Sequence, residues 1–398
     1  MTTSTLAKRQ LPTGIWILGF VSLLMDISSE IIHSLLPIYL VSVLGASALM
    51  VGLIEGAAEA TAPIIKVFSG ALSDYLGKRK GLAVIGYGLG ALTKPVFALA
   101  PGLGWILAAR LTDRVGKGIR GAPRDALVAD LAPPAMRGAA YGLRQSLDTV
   151  GAFIGPLLAI GLMLLWQNDY QAVFWVAVLP AALAVLLLAV GIREPEKPIS
   201  ERRANPISRA SLKQLSRAYW AVVAIGAVFT LARFSEAFLL LRAEDMGLGV
   251  AWLPVILVVM NIAYSVSAYP FGKLSDRMDR RQLLIMGLVV LLVADLVLAL
   301  GNHWLWSLVG SVIWGLHMGM TQGLLATMVA HTAPKALRGT AFGFFNLVGG
   351  VALFLASAVA GLLWTWAGPA LTFYAGAAFC LLAIGLMMCQ RKTAVEPT

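Results

Sequence analysis

Long runs of apolar residues alternate with short polar stretches along almost the whole chain. Crossing the hydrocarbon core of a bilayer takes about 20 helical residues. On that rule the runs resolve into about twelve spans, at 14–42, 48–72, 80–100, 104–127, 138–165, 171–192, 218–241, 250–272, 282–300, 303–331, 338–363 and 369–390. Several exceed the minimum, which predicts tilt or turns that project beyond the membrane. The first run follows Lys8 and Arg9 and so looks like a signal peptide, but Asp26 and Glu30 interrupt it and no small-residue cleavage site follows. It is expected to remain as the first helix.

The polar breaks are asymmetric. Those on the side of the N-terminus hold Lys8, Arg9, Lys78, Arg79, Lys80, Arg137, Lys273, Arg277, Arg280, Arg281, Lys335, Arg338, Arg391 and Lys392. The opposite loops, "GAS", "APGLG", "QNDYQ", "GNH" and "WAGP", hold no Lys or Arg, and Arg242 is the exception to the pattern. Positive loops stay inside, so both termini are expected in the cytoplasm.

Composition agrees with a multi-pass membrane protein. Of 398 residues 59% are hydrophobic and 13% charged, against about 25% charged in soluble domains. The formal charge of +11 suggests nucleic acid at first sight. Its placement in short loops between apolar runs excludes that reading. Cys380 and Cys389 lie nine apart in one apolar run, with no metal-type spacing, and read as packing thiols.

One long polar stretch, 193–217, is rich in proline, serine and arginine. It reads as a cytoplasmic linker between an N-terminal half, 1–192, and a C-terminal half, 218–398. A repeat supports the division. "GALSD" at 70–74 returns as "GKLSD" at 272–276, and "APPAMRGAAYG" at 132–142 returns as "APKALRGTAFG" at 333–343. Two matches at nearly one offset imply two homologous six-helix halves.

In these repeats and in three motifs the chain resembles the major facilitator superfamily of secondary transporters. "GALSDYLGKRK" (70–80) is similar to that family's signature loop between helices 2 and 3, and "GKLSDRMDRR" (272–281) to its weaker copy between helices 8 and 9. "GAFIGP" (151–156) is similar to the Gly-x-x-x-Gly-Pro motif that the family associates with exporters. The resemblance implies an all-α fold of twelve transmembrane helices in two pseudo-symmetric bundles that work by alternating access. It implies a latch in the two loops, which here are Gly70, Asp74, Gly77, Lys78 and Arg79, then Gly272, Asp276 and Arg280. It also implies a helix-4 arginine tied to proton transfer, here Arg110 or Arg114. Asp74 is expected at a helix start, where a carboxylate meets free amides. A literal GxGxxG at Gly116, Gly118 and Gly121 follows no strand and lies inside a span. It reads as close helix packing, not a dinucleotide site.

The spans carry ionisable groups that are costly in lipid. Helix rise places Asp26, Glu59, Asp148, Lys94, Arg114 and Lys117 near mid-membrane, Glu30 and Glu55 a turn further out, and Arg144 a turn further in. Asp26–Glu30, Glu55–Glu59 and Arg144–Asp148 are each four apart and share a face, which His33 continues after Glu30. The C-terminal half has fewer: Arg233, Glu236, Asn261, Asp295, His317, Gln322 and Asn346. Asp26, Glu30, Glu59, Arg110, Arg114 and Asp148 are therefore expected to couple transport to protons, with Asp26 or Glu30 as acceptor and Arg114 or Arg110 as the switch. His33, Lys94, Lys117, Arg144, Asn261 and His317 are expected to meet the substrate. No cofactor is expected. The expectation is a proton-coupled exporter of a small organic solute or drug, acting as a monomer in a bacterial inner membrane. Uptake of a small organic anion and export of a divalent metal are the alternatives, the latter from Asp26, Glu30 and His33 at i, i+4 and i+7. An enzyme is not expected, since no G-x-S-x-G, HExxH or Walker A pattern occurs.

Overall fold

The computed structural model describes residues 11–76, 78–194, 214–275, 278–334 and 337–389. Among them every regular element is helical. Twelve spans follow one another: α1 (Thr13–His33, continued by Leu36–Ile38 and a π-helical turn Tyr39–Val43), α2 (Ala48–Leu76), α3 (Arg79–Leu99), α4 (Leu103–Leu131), α5 (Arg137–Leu165) and α6 (Tyr170–Val176 with Val178–Gly191). Then come α7 (Arg217–Leu231 with Ala237–Asp245), α8 (Val255–Ser275), α9 (Arg280–Leu300), α10 (Trp304–Thr332), α11 (Arg338–Ala367) and α12 (Pro369–Cys389). Nine helices among the described residues are long and apolar enough to cross a membrane. The helix α4 is not one of them, because it carries Arg110, Asp113, Arg114, Lys117, Arg120 and Arg124 along its own length. Most of the expected linker, 195–213, lies outside the described residues, as do Gly77 and Asp276.

The breaks in α1 and α6 have one cause. Proline cannot donate to a helix, and its ring collides with the carbonyl four residues back. Pro37 stands four residues after His33, and Pro180 four after Val176, and the helices stop at those residues. The break in α7, at 232–236, contains neither proline nor glycine. There the amide of Ser235 leaves the helix and donates to Ser357 Oγ of α11 at 3.1 Å.

The packing of the two halves is asymmetric across the membrane. "Near" here means the side of the α1 N-terminus, and "far" the opposite side. One buried apolar cluster takes its N-terminal-half members from the far ends of the helices, such as Ile32, Leu36, Val51, Ile54 and Phe174, and joins them to Phe234, Phe238, Ala356 and Ala360 of the other half. On the near side the N-terminal half has its own cluster, all from residues up to 192, and a third is drawn wholly from residues 215–348. Helices α2 and α11 meet closely: a Cβ at Gly52 would lie 2.3 Å from the Ser357 carbonyl oxygen, and one at Gly361 2.5 Å from that of Ala48. The amide of Leu49 also donates to Thr365 Oγ1 at 3.1 Å.

Arg242, the exception to the charge pattern, has a structural task. It sits at the far end of α7 and donates from Nε to the Leu298 carbonyl at 2.9 Å, and from Nη2 to those of Ala299 at 3.2 Å and Gly301 at 2.9 Å. These are the free carbonyls at the end of α9, where a cation is favourable.

Candidate functional site

The site begins where α5 supports α1. A Cβ at Gly151 would lie 2.6 Å from the Leu23 carbonyl oxygen and 3.0 Å from Asp26 Cβ; one at Gly155 would lie 2.6 Å from Glu30 Cβ. The Gly-x-x-x-Gly-Pro stretch is thus a seat for the acidic face of α1. Its closeness brings Asp26 into hydrogen-bonding range of Asp148, one turn before Gly151. Lys117 and Arg120 are the nearest cationic influences on Asp26. Asp148 in turn faces Arg144 at 3.7 Å and Arg124 at 3.8 Å.

A second cluster lies toward the far side. The α1 break leaves His33 at the end of the first segment. Its Nδ1 is 3.5 Å from Glu30 and its Nε2 is 3.5 Å from Glu55 of α2. Glu55 is fully buried and takes a two-pronged bond from Arg110, Nη2 to Oε2 at 2.6 Å and Nε to Oε1 at 3.1 Å. Glu59 lies 3.6 Å from Arg110 and 3.5 Å from Arg114. Lys94 of α3 donates to Asp113 at 2.9 Å and to Ser29 Oγ at 3.2 Å. Arg120 lies 4.6 Å above the ring of Tyr87, a cation–π contact. The glycines of the GxGxxG stretch permit this crowding. A Cβ at Gly116 would lie 2.6 Å from the Gly86 carbonyl oxygen, and one at Gly118 2.8 Å from that of Ala62.

Charge is layered in this wall. Lys94, Arg110, Arg114, Arg120 and Arg144 are buried. Glu55 and Asp113 are buried with them, but the side chains of Glu30, Glu59 and Asp148 are 21%, 32% and 22% exposed. Lys117 is exposed on α4, near Asp26, Glu30 and Glu59.

From the other half the α7 break brings Arg233 and Glu236. With His33, Glu59, Phe234, Ser235 and Leu353 they line a cavity of about 70 Å³ between the halves. Unwound backbone inside a membrane protein is tolerated where it lines such a cavity. The other expected pocket groups are placed differently. His317 is fully buried and bonds through Nδ1 to the Gly287 carbonyl of α9 at 2.7 Å, with its ring stacked on Phe229. It faces protein because α9 offers a carbonyl there. Lys94 is likewise held by Asp113. Asn261 is half-buried on α8.

The loop residues also differ in part from expectation. Asp74 lies in the last turn of α2, not at a helix start, because the helix runs on to Leu76; its side chain is outside the described residues. Gly70 packs on Ala122 of α4, and Gly272 is exposed near the end of α8. Lys78 is the residue before α3 and Arg280 opens α9. Arg79 pairs with Asp130 of α4 and donates to the Ala126 carbonyl at 3.1 Å. The first amides of α3 are capped by Glu194, including that of Lys80 at 3.2 Å. The sequence reading missed Arg120 and Arg124 as network members, although Arg124 continues the face of Arg110, Arg114 and Lys117 at helical spacing.

A metal reading rests on different residues from those expected. His33, Glu55 and Glu59 offer ligand atoms within 4.8 Å of one another. Arg110 already satisfies Glu55 and faces Glu59, and a guanidinium at that point opposes a metal cation.

A sequence profile of the Major Facilitator Superfamily matches residues 18–351 and 237–397. The chain belongs to the major facilitator superfamily. It is 32% identical over 391 residues to an uncharacterized MFS-type transporter of Methanocaldococcus jannaschii, covering 96% of this chain and 95% of that one. It is 28% identical over 347 residues to the multidrug resistance protein MdtH of Yersinia pestis, covering 84% of this chain and 82% of the relative. Its fold matches that of the nucleoside transporter NupG with a TM-score of 0.77 over 94% of this chain and 98% of the other, at 14% identity. As a major facilitator protein it is a membrane transporter with two six-helix bundles, and not an enzyme.

Proposed function

We propose that this transporter is driven by protons and exports a small organic solute, with both termini in the cytoplasm of a bacterial-type inner membrane. The near side is then cytoplasmic, and the shared far-side core is the closed outer gate of an inward-facing state. One observation carries the coupling: Asp26 and Asp148 place two carboxyl groups against each other in the wall between the bundles. Two carboxylates in contact cannot both ionise cheaply, so the pair is built to hold and exchange a proton. Arg124 and Arg144 flank it and respond to its charge. Glu30 and Glu59 extend the same relay toward the far side, with Arg110 and Arg114 as the fixed charges that answer Glu59.

The layering of charge supports a solute that is cationic or carries an amine. Glu30, Glu59 and Asp148 are the more open carboxylates of the wall, while Lys94, Arg110, Arg114, Arg120 and Arg144 lie buried behind them together with Glu55 and Asp113. Anion uptake keeps one specific support, the exposed Lys117.

The test uses purified protein in proteoliposomes with the lipophilic cation tetraphenylphosphonium as probe. An imposed pH gradient is expected to drive its flux, and Asp26→Asn, Asp148→Asn and Glu30→Gln each to weaken that drive. Full gradient-driven flux in all three variants would remove the proposed relay. A thermal-shift comparison of the probe with benzoate and with Mn²⁺ separates the charge classes, since a ligand of the folded state raises apparent stability.

A further inference from the structure

One acid stands apart from the network. Asp295, on α9, is fully buried, and neither carboxyl oxygen has a hydrogen-bond partner. A buried carboxyl without partners is costly whether ionised or neutral. Yet the chain makes room for it. A Cβ at Gly376 of α12 would lie 2.6 Å from Asp295 Oδ2 and 3.1 Å from the ring of Phe234. Carboxyl, glycine and ring therefore meet at one point.

Phe234 belongs to the α7 break and to the wall of the cavity shared with His33, Glu59, Arg233 and Glu236. Its ring also packs on Trp314 with centroids 5.4 Å apart, and the Trp314 indole N–H has no partner either. The ring thus stands between a charged cavity and two polar groups that have nothing to bond. The break it sits on is tied to α11 through the amide of Ser235, which donates to Ser357 Oγ.

We propose that Asp295 is a second proton-exchange site of the transport cycle, shut off in this conformation by Phe234 and opened when the α7 break moves. On opening, water reaches the carboxyl; its O–H bond breaks and the proton leaves as hydronium, or a hydronium ion returns a proton to the carboxylate. No other bond changes. The titratable neighbour of Asp295 is Cys380 of α12. Arg233 and Glu236 of α7 border the cavity on the other side of the ring. The inference rests on the proton-coupled reading above, but its test does not depend on a gradient.

Carbodiimides react with protonated carboxyls in apolar surroundings, and the adduct is located by peptide mass spectrometry. The experiment uses the full chain with Cys380→Ala and Cys389→Ala, and a far-side disulfide between Leu49→Cys and Thr365→Cys. Asp295 is expected to label slowly in the reduced protein and several-fold less when the disulfide locks the far side. Phe234→Ala is expected to label several-fold faster than its parent even when locked. Infrared difference spectra between acid and alkaline buffer add a second readout, a carboxyl band gained in Phe234→Ala and absent from Phe234→Ala with Asp295→Asn. Labelling indifferent to the lock, or no labelling in Phe234→Ala, overturns the proposal. Failure of proton coupling itself is seen separately, as absent pH-driven flux of tetraphenylphosphonium in the unaltered protein.

Discussion

At the scale of single residues, the pair Glu55–Arg110 sets the stakes. Both side chains are nearly inaccessible and share two hydrogen bonds. Removing one partner of such a pair leaves a buried charge and costs about 3–5 kcal/mol. Arg110→Ala is therefore expected to lower the melting temperature of the purified protein sharply, and Arg110→Met with Glu55→Leu to recover much of the loss. A double variant no more stable than the single one would show that the pair is not the cause. The presence of these charges was legible in sequence, and so was the Arg144–Asp148 contact, because spacing of four fixes a shared face. Partners across helices were not. The Glu30–His33 contact follows from spacing on α1, but the meeting of Asp26 with Asp148 and of His33 with Glu55 is decided by how α5 and α2 pack against it.

At the scale of elements, glycine seats and helix breaks do the positioning. Gly155→Ala would set a methyl 2.6 Å from Glu30 Cβ and 3.0 Å from the Ile27 carbonyl, so α1 must move away from α5. Overpacking of this kind costs about 1–3 kcal/mol, read as a loss of thermal stability and of pH-driven flux. Gly161→Ala, with open space at its Cβ, is the control and should be neutral or slightly stabilising. Ser357→Ala strips the Ser235 amide of its acceptor at the α7 break, with an expected cost of about 1–3 kcal/mol for the unsatisfied donor; an unchanged melting temperature would show that water replaces the hydroxyl. Span number and approximate edges followed from apolar runs alone. The α7 break did not, since the sequence 232–236 holds no residue that forbids a helix. The stop of α1 was readable in Pro37 and was overlooked inside a long apolar run. The extent of α4 was partly hidden by its charges.

At the scale of the whole molecule, the core that joins the halves draws its N-terminal-half residues from the far side, while near-side residues of each half also form a cluster of their own. The proposed transport cycle therefore requires apolar contacts to break on one side and others to form. With Cys380 and Cys389 replaced, a disulfide between Leu49→Cys and Thr365→Cys is expected to form readily and to abolish flux, and reduction to restore it. Flux that survives the cross-link would mean that the far side does not open during transport. The repeated loops announced two halves in sequence. Nothing in a linear pattern of apolar residues could announce which side would be joined, because that depends on where the shared core falls between bundles.

The joined far-side core has a consequence for assembly. Cohesion between the bundles resides in side-chain packing, remote from Glu194 and Gln214, the described residues on either side of 195–213. A gene cut within that stretch should yield two fragments, 1–200 and 201–398, that find each other in the bilayer. Co-purification of an untagged fragment with a tagged one would demonstrate the reunion, and severed carriers that never associate would show that the tether itself is indispensable.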